Sequence, residues 1–272
     1  RNWLRLGKIE SQGIDPAGQM YFTEEYVSNL KQSLETGERR SLRSRRNKRY
    51  VSGKGLYDRY VSDICESTDT VKSLVDKLER QNICVTEMVM RTLLADCALK
   101  LLVSSGEITV DREIFPAYID GSLTIGVWSA LIDDIIQDKK AALSWANNNK
   151  NLMDTNYYYQ KGEDVLGLLY MSIRDAGSRK AAGSYYTPTK VVRTLISDVT
   201  GDMGSRISEG GKRLFDPCCG TGNFLIQLPD DIELNNIYAC DIDELSVQLA
   251  RFNLALGRLS GRRTVNVDPD NI

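Results

Sequence analysis

The stretch Leu214-Phe215-Asp216-Pro217-Cys218-Cys219-Gly220-Thr221-Gly222-Asn223-Phe224-Leu225 constrains the chain more than any other. A short apolar run meets an acidic turn punctuated by glycine, and apolar residues resume directly after it. That order predicts a strand at 213–215, a tight turn, and a helix over 223–228. Further strands are predicted at 237–240 and 264–267, with a helix over 244–256 between them. Strands alternating with helices in this way imply parallel pairing through right-handed crossovers. In such units a ligand binds at the carboxyl ends of the strands, where the first turn meets a helix.

Everything upstream of about residue 180 is rich in helical periodicity, with no alternating strand pattern. Residues 1–20 are expected as loop, because Gly13, Pro16 and Gly18 interrupt any regular element. Helices are predicted from Thr23 to Leu34 with Thr23 as cap, through Leu56, Tyr60 and Ile64, and from Thr70 along Val71, Leu74, Val75 and Leu78. Thr86 to Ser104 carries the strongest helical pattern, with Gly106 as its stop. Leu123 to Lys139, Ala141 to Asn147 and Gly162 to Arg174 follow, with the polar run Asn147 to Asn151 as loop. At Thr187-Pro188 a capped helix opens. The domain boundary is placed near 176–184, giving a helical region over 1–180 and an α/β region over 181–272.

Composition narrows the chemistry. The chain has 272 residues, no histidine, six cysteines and a net charge of -2. The missing imidazole removes Ser-His-Asp hydrolysis and His-zinc chemistry. No Cys-x-x-Cys pair is present, so the cysteines are expected as reduced, buried thiols of a cytoplasmic protein. No apolar run reaches the roughly 18 residues of a membrane span, and Glu87, Arg91, Asp96 and Lys100 break the most apolar helix. One block is strongly basic, with Arg39, Arg40, Arg43, Arg45, Arg46, Lys48 and Arg49 on an otherwise acidic chain. It is either the footprint of a polyanion partner or a solvated loop.

Gly220 and Gly222 let the backbone turn tightly beside a ligand. Leu225 stands where a dinucleotide fingerprint has its third glycine, and a carboxylate at Asp216 repels a pyrophosphate. The same carboxylate attracts a cation. Asp241 lies nineteen residues beyond Gly222, near the offset at which an acid accepts hydrogen bonds from ribose hydroxyls. Such a cation could be the amino group or sulfonium of S-adenosylmethionine. Two acids with two glycines between them fit a neutral or cationic adenosine ligand better than NAD.

On these residues the chain resembles the adenine-specific (N6) DNA methyltransferases of type I and fused type II restriction–modification systems. Phe215 to Leu225 is similar to their first cofactor motif, Gly183 to Pro188 to their amino-terminal motif, and Ala239 to Asp243 to their second-strand motif. The resemblance covers residues 160–272. It implies an α-rich N-terminal region followed by the first half of an α/β Rossmann-like methyltransferase fold, three strands of a normally seven-stranded sheet.

The resemblance also implies S-adenosyl-L-methionine as cofactor. Thr187, in the turn with Tyr186 and Pro188, would hold its carboxylate, and Asp216 its amino group. Gly220 and Gly222 would line it by backbone, within the motif residues Pro217, Thr221, Asn223 and Phe224. Asp241 would take the ribose hydroxyls and Ile242 would pack on the adenine. Asp268 corresponds to the acid that reads the adenine amino group, or is a surface turn before Pro269. Cys218 and Cys219 sit in the cofactor turn and are expected as packing residues, not nucleophiles.

The implied partners are double-stranded DNA, a specificity subunit or domain and an associated nuclease, with no membrane, in the cytoplasm at the nucleoid. The family's Asn-Pro-Pro-Tyr-like motif, which orients the flipped adenine, is not found, since no two of the six prolines are adjacent. Starting at Arg1 and ending after three strands, the sequence is expected to be part of a longer chain and inactive by itself. The alternatives are a protein-glutamine or ribosomal RNA methyltransferase, or a non-catalytic cofactor-binding or assembly module.

Overall fold

The computed structural model describes residues 9, 11–14, 20–35, 60–174, 186–201, 213–230, 232–259 and 270–272. They fall in two units, Arg1–Ser52 and Gly53–Ile272. In the first, β1 (Gly13–Ile14) pairs antiparallel with β2 (Met20–Tyr21), and Gly13 stands opposite Tyr21. The loop expected over 1–20 is corrected here. A Cβ on Gly13 would stand 2.7 Å from the Tyr21 ring, so the missing side chain is what admits the cross-strand tyrosine. Helix α1 (Glu24–Glu35) follows as predicted. Thr23 Oγ1 accepts the Tyr26 N–H at 3.2 Å, and Glu24 and Glu25 occupy the positive end.

The second unit begins its described part with turns. The helix predicted through Leu56, Tyr60 and Ile64 is absent over 60–64, and Leu56 lies outside the described residues. Tyr60 and Val61 turn into the core while Ile64 is 77% exposed. The Ser62 N–H donates to Glu163 Oε2 at 2.9 Å, so a tertiary partner takes the place of a helical one. Then come α2 (Ser67–Arg80), α3 (Glu87–Ser104), α4 (Ile114–Ile119), a 3-10 turn at Gly126–Trp128, α5 (Ser129–Ile136), α6 (Lys139–Asn148), α7 (Lys150–Met153) and α8 (Val165–Ile173). The helix predicted over Leu123–Lys139 is divided because Gln137 adopts φ +61° and Asp138 Oδ1 caps the next helix through the Ala141 N–H at 2.9 Å. The loop expected over Asn147–Asn151 is instead the junction of α6 and α7.

Helix α3 is buried on all sides. Thr86 caps it, and Gly106, at φ +81°, ends it as predicted. Arg91 and Asp96 within it are enclosed with partners. Arg91 donates to Glu87 Oε1 at 3.0 Å, the Ile135 carbonyl at 3.2 Å and Gln248 Oε1 at 2.9 Å. Lys100 Nζ lies 2.7 Å from Asp96 Oδ2 and also donates to the Met153 carbonyl. Among the described residues no helix is long and apolar enough to cross a membrane.

Helix α9 (Thr189–Gly201) leads to β3 (Leu214–Asp216) and β4 (Ile237–Ala239), which pair in parallel with Leu214 beside Ile237 and Asp216 beside Ala239. Helix α10 (Glu244–Leu259) follows. The strand expected at Thr264–Val267 lies outside the described residues. The helix predicted over Asn223–Leu228 is a 3-10 turn at Leu225–Gln227. Leu228 is already extended at ψ 145°, as a residue before proline prefers, and Pro229 stops continuation.

The cut placed near 176–184 falls outside the described residues. On either side of it, α2, α3, α5, α8, β4 and α10 contribute to one buried apolar cluster. The rings of Trp128 and Phe252 meet across it at 5.9 Å.

Burial raises the Asp96 carboxyl from its ordinary 3.8 to about 6, against the pull of Lys100. The folded chain keeps that proton up to about pH 6, while the unfolded chain releases it near 3.8. Stability from this group is therefore full below the lower value and lost as pH rises through the higher one. Urea unfolding at pH 4 and pH 7 should show wild type losing on the order of 2–3 kcal/mol relative to Asp96→Asn over that interval. A constant difference between the two proteins would contradict this.

Candidate cofactor site

The tips of β3 and β4 build the site. Asp216 Oδ1 accepts the Cys218 N–H at 3.1 Å, closing an Asx-type turn over Pro217. The parallel ladder runs one step further, with the Cys240 N–H on the Asp216 carbonyl and the Cys219 N–H on the Cys240 carbonyl, both 3.0 Å. The chain then reverses through Gly220 at φ +52° and Gly222 at φ +88°. Asp241, at the tip of β4, fastens that reversal. Its Oδ2 accepts the Gly220 N–H and its Oδ1 the Asp243 N–H, each at 2.9 Å.

Two carboxylates therefore share one mouth. Burial pushes the Asp216 carboxyl up, and the negative charge of Asp241 adds to that push. No hydrogen bond reaches Asp216 Oδ2 among the described residues. Ile242, next to Asp241 in the chain, is 92% exposed. An acid with an open oxygen, a second acid fixed by backbone N–H groups, and an uncovered apolar side chain fit a cationic adenosine ligand.

The residues before α9 close on the same turn. The Tyr186 ring covers Gly220 so closely that a Cβ there would stand 2.9 Å from it. The Tyr186 hydroxyl lies 3.1 Å from Ser246 Oγ, and burial raises its pKa to about 12. Asn223 Nδ2 donates to the Thr187 carbonyl at 2.9 Å, and Thr189 Oγ1 donates to Asn223 Oδ1 at 3.2 Å. The helix starts at Thr189, a residue beyond the expected Pro188, whose carbonyl accepts from Val191 and Val192 at 2.9 and 3.0 Å.

Tyr186, Thr187, Asp216, Gly220 to Asn223 and Asp241 are thus brought together. Pro217 is exposed and Phe224 is half-buried. Asp268 and the basic residues Arg39, Arg40, Arg43, Arg45, Arg46, Lys48 and Arg49 lie outside the described residues. The expectation that the cysteines are buried is corrected for three. Cys84, Cys218 and Cys240 are exposed, Cys65, Cys97 and Cys219 are buried, and all six are free thiols. Cys218 and Cys240 are the two exposed at the strand tips.

Two features escaped the sequence reading. Asp164 is completely buried behind the turn. It accepts from Tyr60 Oη at 2.5 Å, the Gly167 N–H at 2.7 Å, Asn253 Nδ2 at 2.8 Å and the Thr221 hydroxyl. Burial raises its pKa against the pull of those donors. The sequence signal, an Asp ahead of the apolar helix α8, announces only the cap to Gly167. Asp243 gathers a second cluster, accepting from Tyr170 Oη at 2.5 Å, Arg174 at 2.7 Å and Ser246 Oγ at 3.1 Å. A groove of about 900 Å³ elsewhere, lined by Lys100, Arg112, Phe115, Lys150 and Tyr158, holds none of the expected site residues. Among the described residues no cluster of Cys, Asp or Glu could hold a metal.

Residues 161–268 match the N-6 DNA Methylase family. The Type II methyltransferase M.VspI of Vibrio sp. (strain 343) is 29% identical over 147 residues, which is 54% of this chain and 34% of that protein. The chain spans about a third of that relative's length. No solved structure matches it. Over residues 161–268 the chain is therefore similar to the N-6 DNA methylases.

At Gly222 a Cβ would stand 3.1 Å from the Ala250 Cα and Cβ, in a backbone conformation that L residues disfavour. Gly222→Ala should cost about 2–4 kcal/mol in urea unfolding. Gly106→Ala has the same φ sign but open space around it, and should cost about 1–2 kcal/mol. Equal losses would show that the close approach to Ala250 carries no weight.

Proposed function

We propose that this chain is the S-adenosylmethionine-binding portion of an adenine-N6 DNA methyltransferase from a restriction–modification or related defence system. The observation that carries the reading is the convergence of Tyr186–Thr187, Asp216–Asn223 and Asp241 on one turn at the tips of two parallel strands. In it, Asp216 takes the amino group of the cofactor and Asp241 the ribose hydroxyls, while exposed Ile242 packs on the adenine. Thr187 and the N-terminus of α9 face the carboxylate, where backbone N–H groups favour an anion. The backbone of Gly220 and Gly222, with Pro188, Pro217, Thr221 and Phe224, shapes the wall. Bound there, the cofactor supplies an electrophilic methyl group.

In this reading residues 264–267 add the third strand of a Rossmann-like sheet, and residues 181–272 form the cofactor region with 1–180 as its helical partner. Asp268 follows that strand at the cofactor's edge. Double-stranded DNA is the substrate, and a specificity subunit or domain and a nuclease are the partners. The basic residues between Arg39 and Arg49 supply sequence-independent phosphate contacts.

The test is transfer of label from methyl-labelled S-adenosylmethionine by the complete protein. Label in N6-methyladenine of DNA is the expected result. Label in protein or RNA, or cofactor bound with no transfer to any acceptor, would replace this reading with another.

A further inference from the structure

Resting on the cofactor reading above, we infer that Asp164, with Tyr60 and Asn253, is a positioning residue that fixes the cofactor turn by locking Thr221 between its two left-handed glycines. The argument starts from what burying Asp164 demands. Its carboxylate has no exposed surface, and its partners among the described residues are all neutral: two hydroxyls, one backbone N–H and one side-chain amide. A buried charge with no counter-ion is costly, and apolar residues of similar volume hold helices together at least as well. Packing alone does not call for it.

The hydrogen bonds converge on one residue. Thr221 is held at both of its polar ends. Its hydroxyl donates to Asp164 Oδ2, and its carbonyl accepts from Asn253 Nδ2 at 2.9 Å. The other hydrogen of that amide goes to Asp164 Oδ1 at 2.8 Å, so the two anchors are tied to each other. Tyr60 completes the set, 2.5 Å from Asp164 Oδ2 and 3.3 Å from Thr221 Oγ1.

Three segments distant in sequence thus meet on the residue between Gly220 and Gly222. Those glycines are the points of greatest backbone freedom in the turn, and their freedom must be removed before the turn can hold one shape against a ligand. Holding the residue between them removes it in advance and lowers the ordering cost of binding. The front of the turn is fixed separately, by Asp241 on Gly220. Asp164 fixes the back. Gly167 fits the same scheme, since a Cβ there would stand 2.2 Å from Asp164 Oδ2 and 2.4 Å from Thr221 Oγ1.

The experiment measures the Kd of S-adenosylmethionine for the full-length protein by titration calorimetry, well below every variant's unfolding midpoint. Thermal midpoints are recorded alongside. Asp164→Asn and the milder Tyr60→Phe are compared with Leu94→Ala, a core truncation in α3. A positioning role predicts Kd raised about tenfold in Asp164→Asn and severalfold in Tyr60→Phe, with Leu94→Ala lowering the midpoint at unchanged Kd. Midpoints lowered with Kd unchanged in all three would make the network structural and overturn the inference. Failure of Asp164→Asn to fold leaves Tyr60→Phe to decide in the same way. Wild type that binds no S-adenosylmethionine would overturn the cofactor reading itself, which the unchanged-Kd result would leave standing.

Discussion

The carboxylate of Asp164 is enclosed completely, and each group that surrounds it comes from a different stretch of chain: Tyr60 from the turns before α2, Thr221 from the loop after β3, Asn253 from α10. Desolvating a carboxylate costs several kcal/mol, and only the full set of donors offsets that cost. Helices and sheet must therefore dock together for any one of these bonds to be worth making. A second tie runs beside it. Glu163 accepts from Ser62 and Arg193, and Gln227 and Arg193 both donate to the Gly162 carbonyl, so the residues just ahead of α8 are fastened to α9 and the 3-10 turn. Apolar burial supplies the bulk of the stability, and these polar contacts decide the register in which it is realised.

Against that fixed back wall, the mouth of the site is set by two acids. Asp241 uses both oxygens on backbone N–H groups, which orient it. Asp216 uses one oxygen on the Cys218 N–H, and burial makes its ionised form harder to keep. A cation placed between them would relieve both charges, whereas a pyrophosphate would meet them head-on. With both acids ionised, such a site would discriminate between nucleotide ligands by charge more sharply than by its glycine pattern.

Much of this was legible locally. Thr23 and Thr86 cap their helices as their chemistry dictates, Gly106 ends α3 where a left-handed residue was needed, and the glycines at 220 and 222 do take positive φ. Residues 186–187, 216, 220–223 and 241, which the structure brings to one turn, could be singled out because strand-tip turns follow short-range rules. What escaped depends on distant partners. Tyr60 to Ile64 have helical spacing but give their polar groups to Glu163 and Asp164, and Gly13 looks like a breaker until Tyr21 lies across it. The helix expected after the turn tightens to a 3-10 turn with Asn223 and Gln227 reaching back to Thr187 and Gly162. Asp164 was invisible for the same reason, since its role as a cap accounts for the residue and hides its contact with Thr221.

The central claim is that two acids and a locked glycine turn select a cationic adenosine ligand over an anionic dinucleotide. Equilibrium dialysis of labelled S-adenosylmethionine against the full-length protein, with NAD and S-adenosylhomocysteine as competitors, tests it most directly. Binding that S-adenosylhomocysteine displaces and NAD does not is the predicted result. Displacement by NAD, or retention of full affinity when Asp216 and Asp241 are both changed to Asn, would contradict the account.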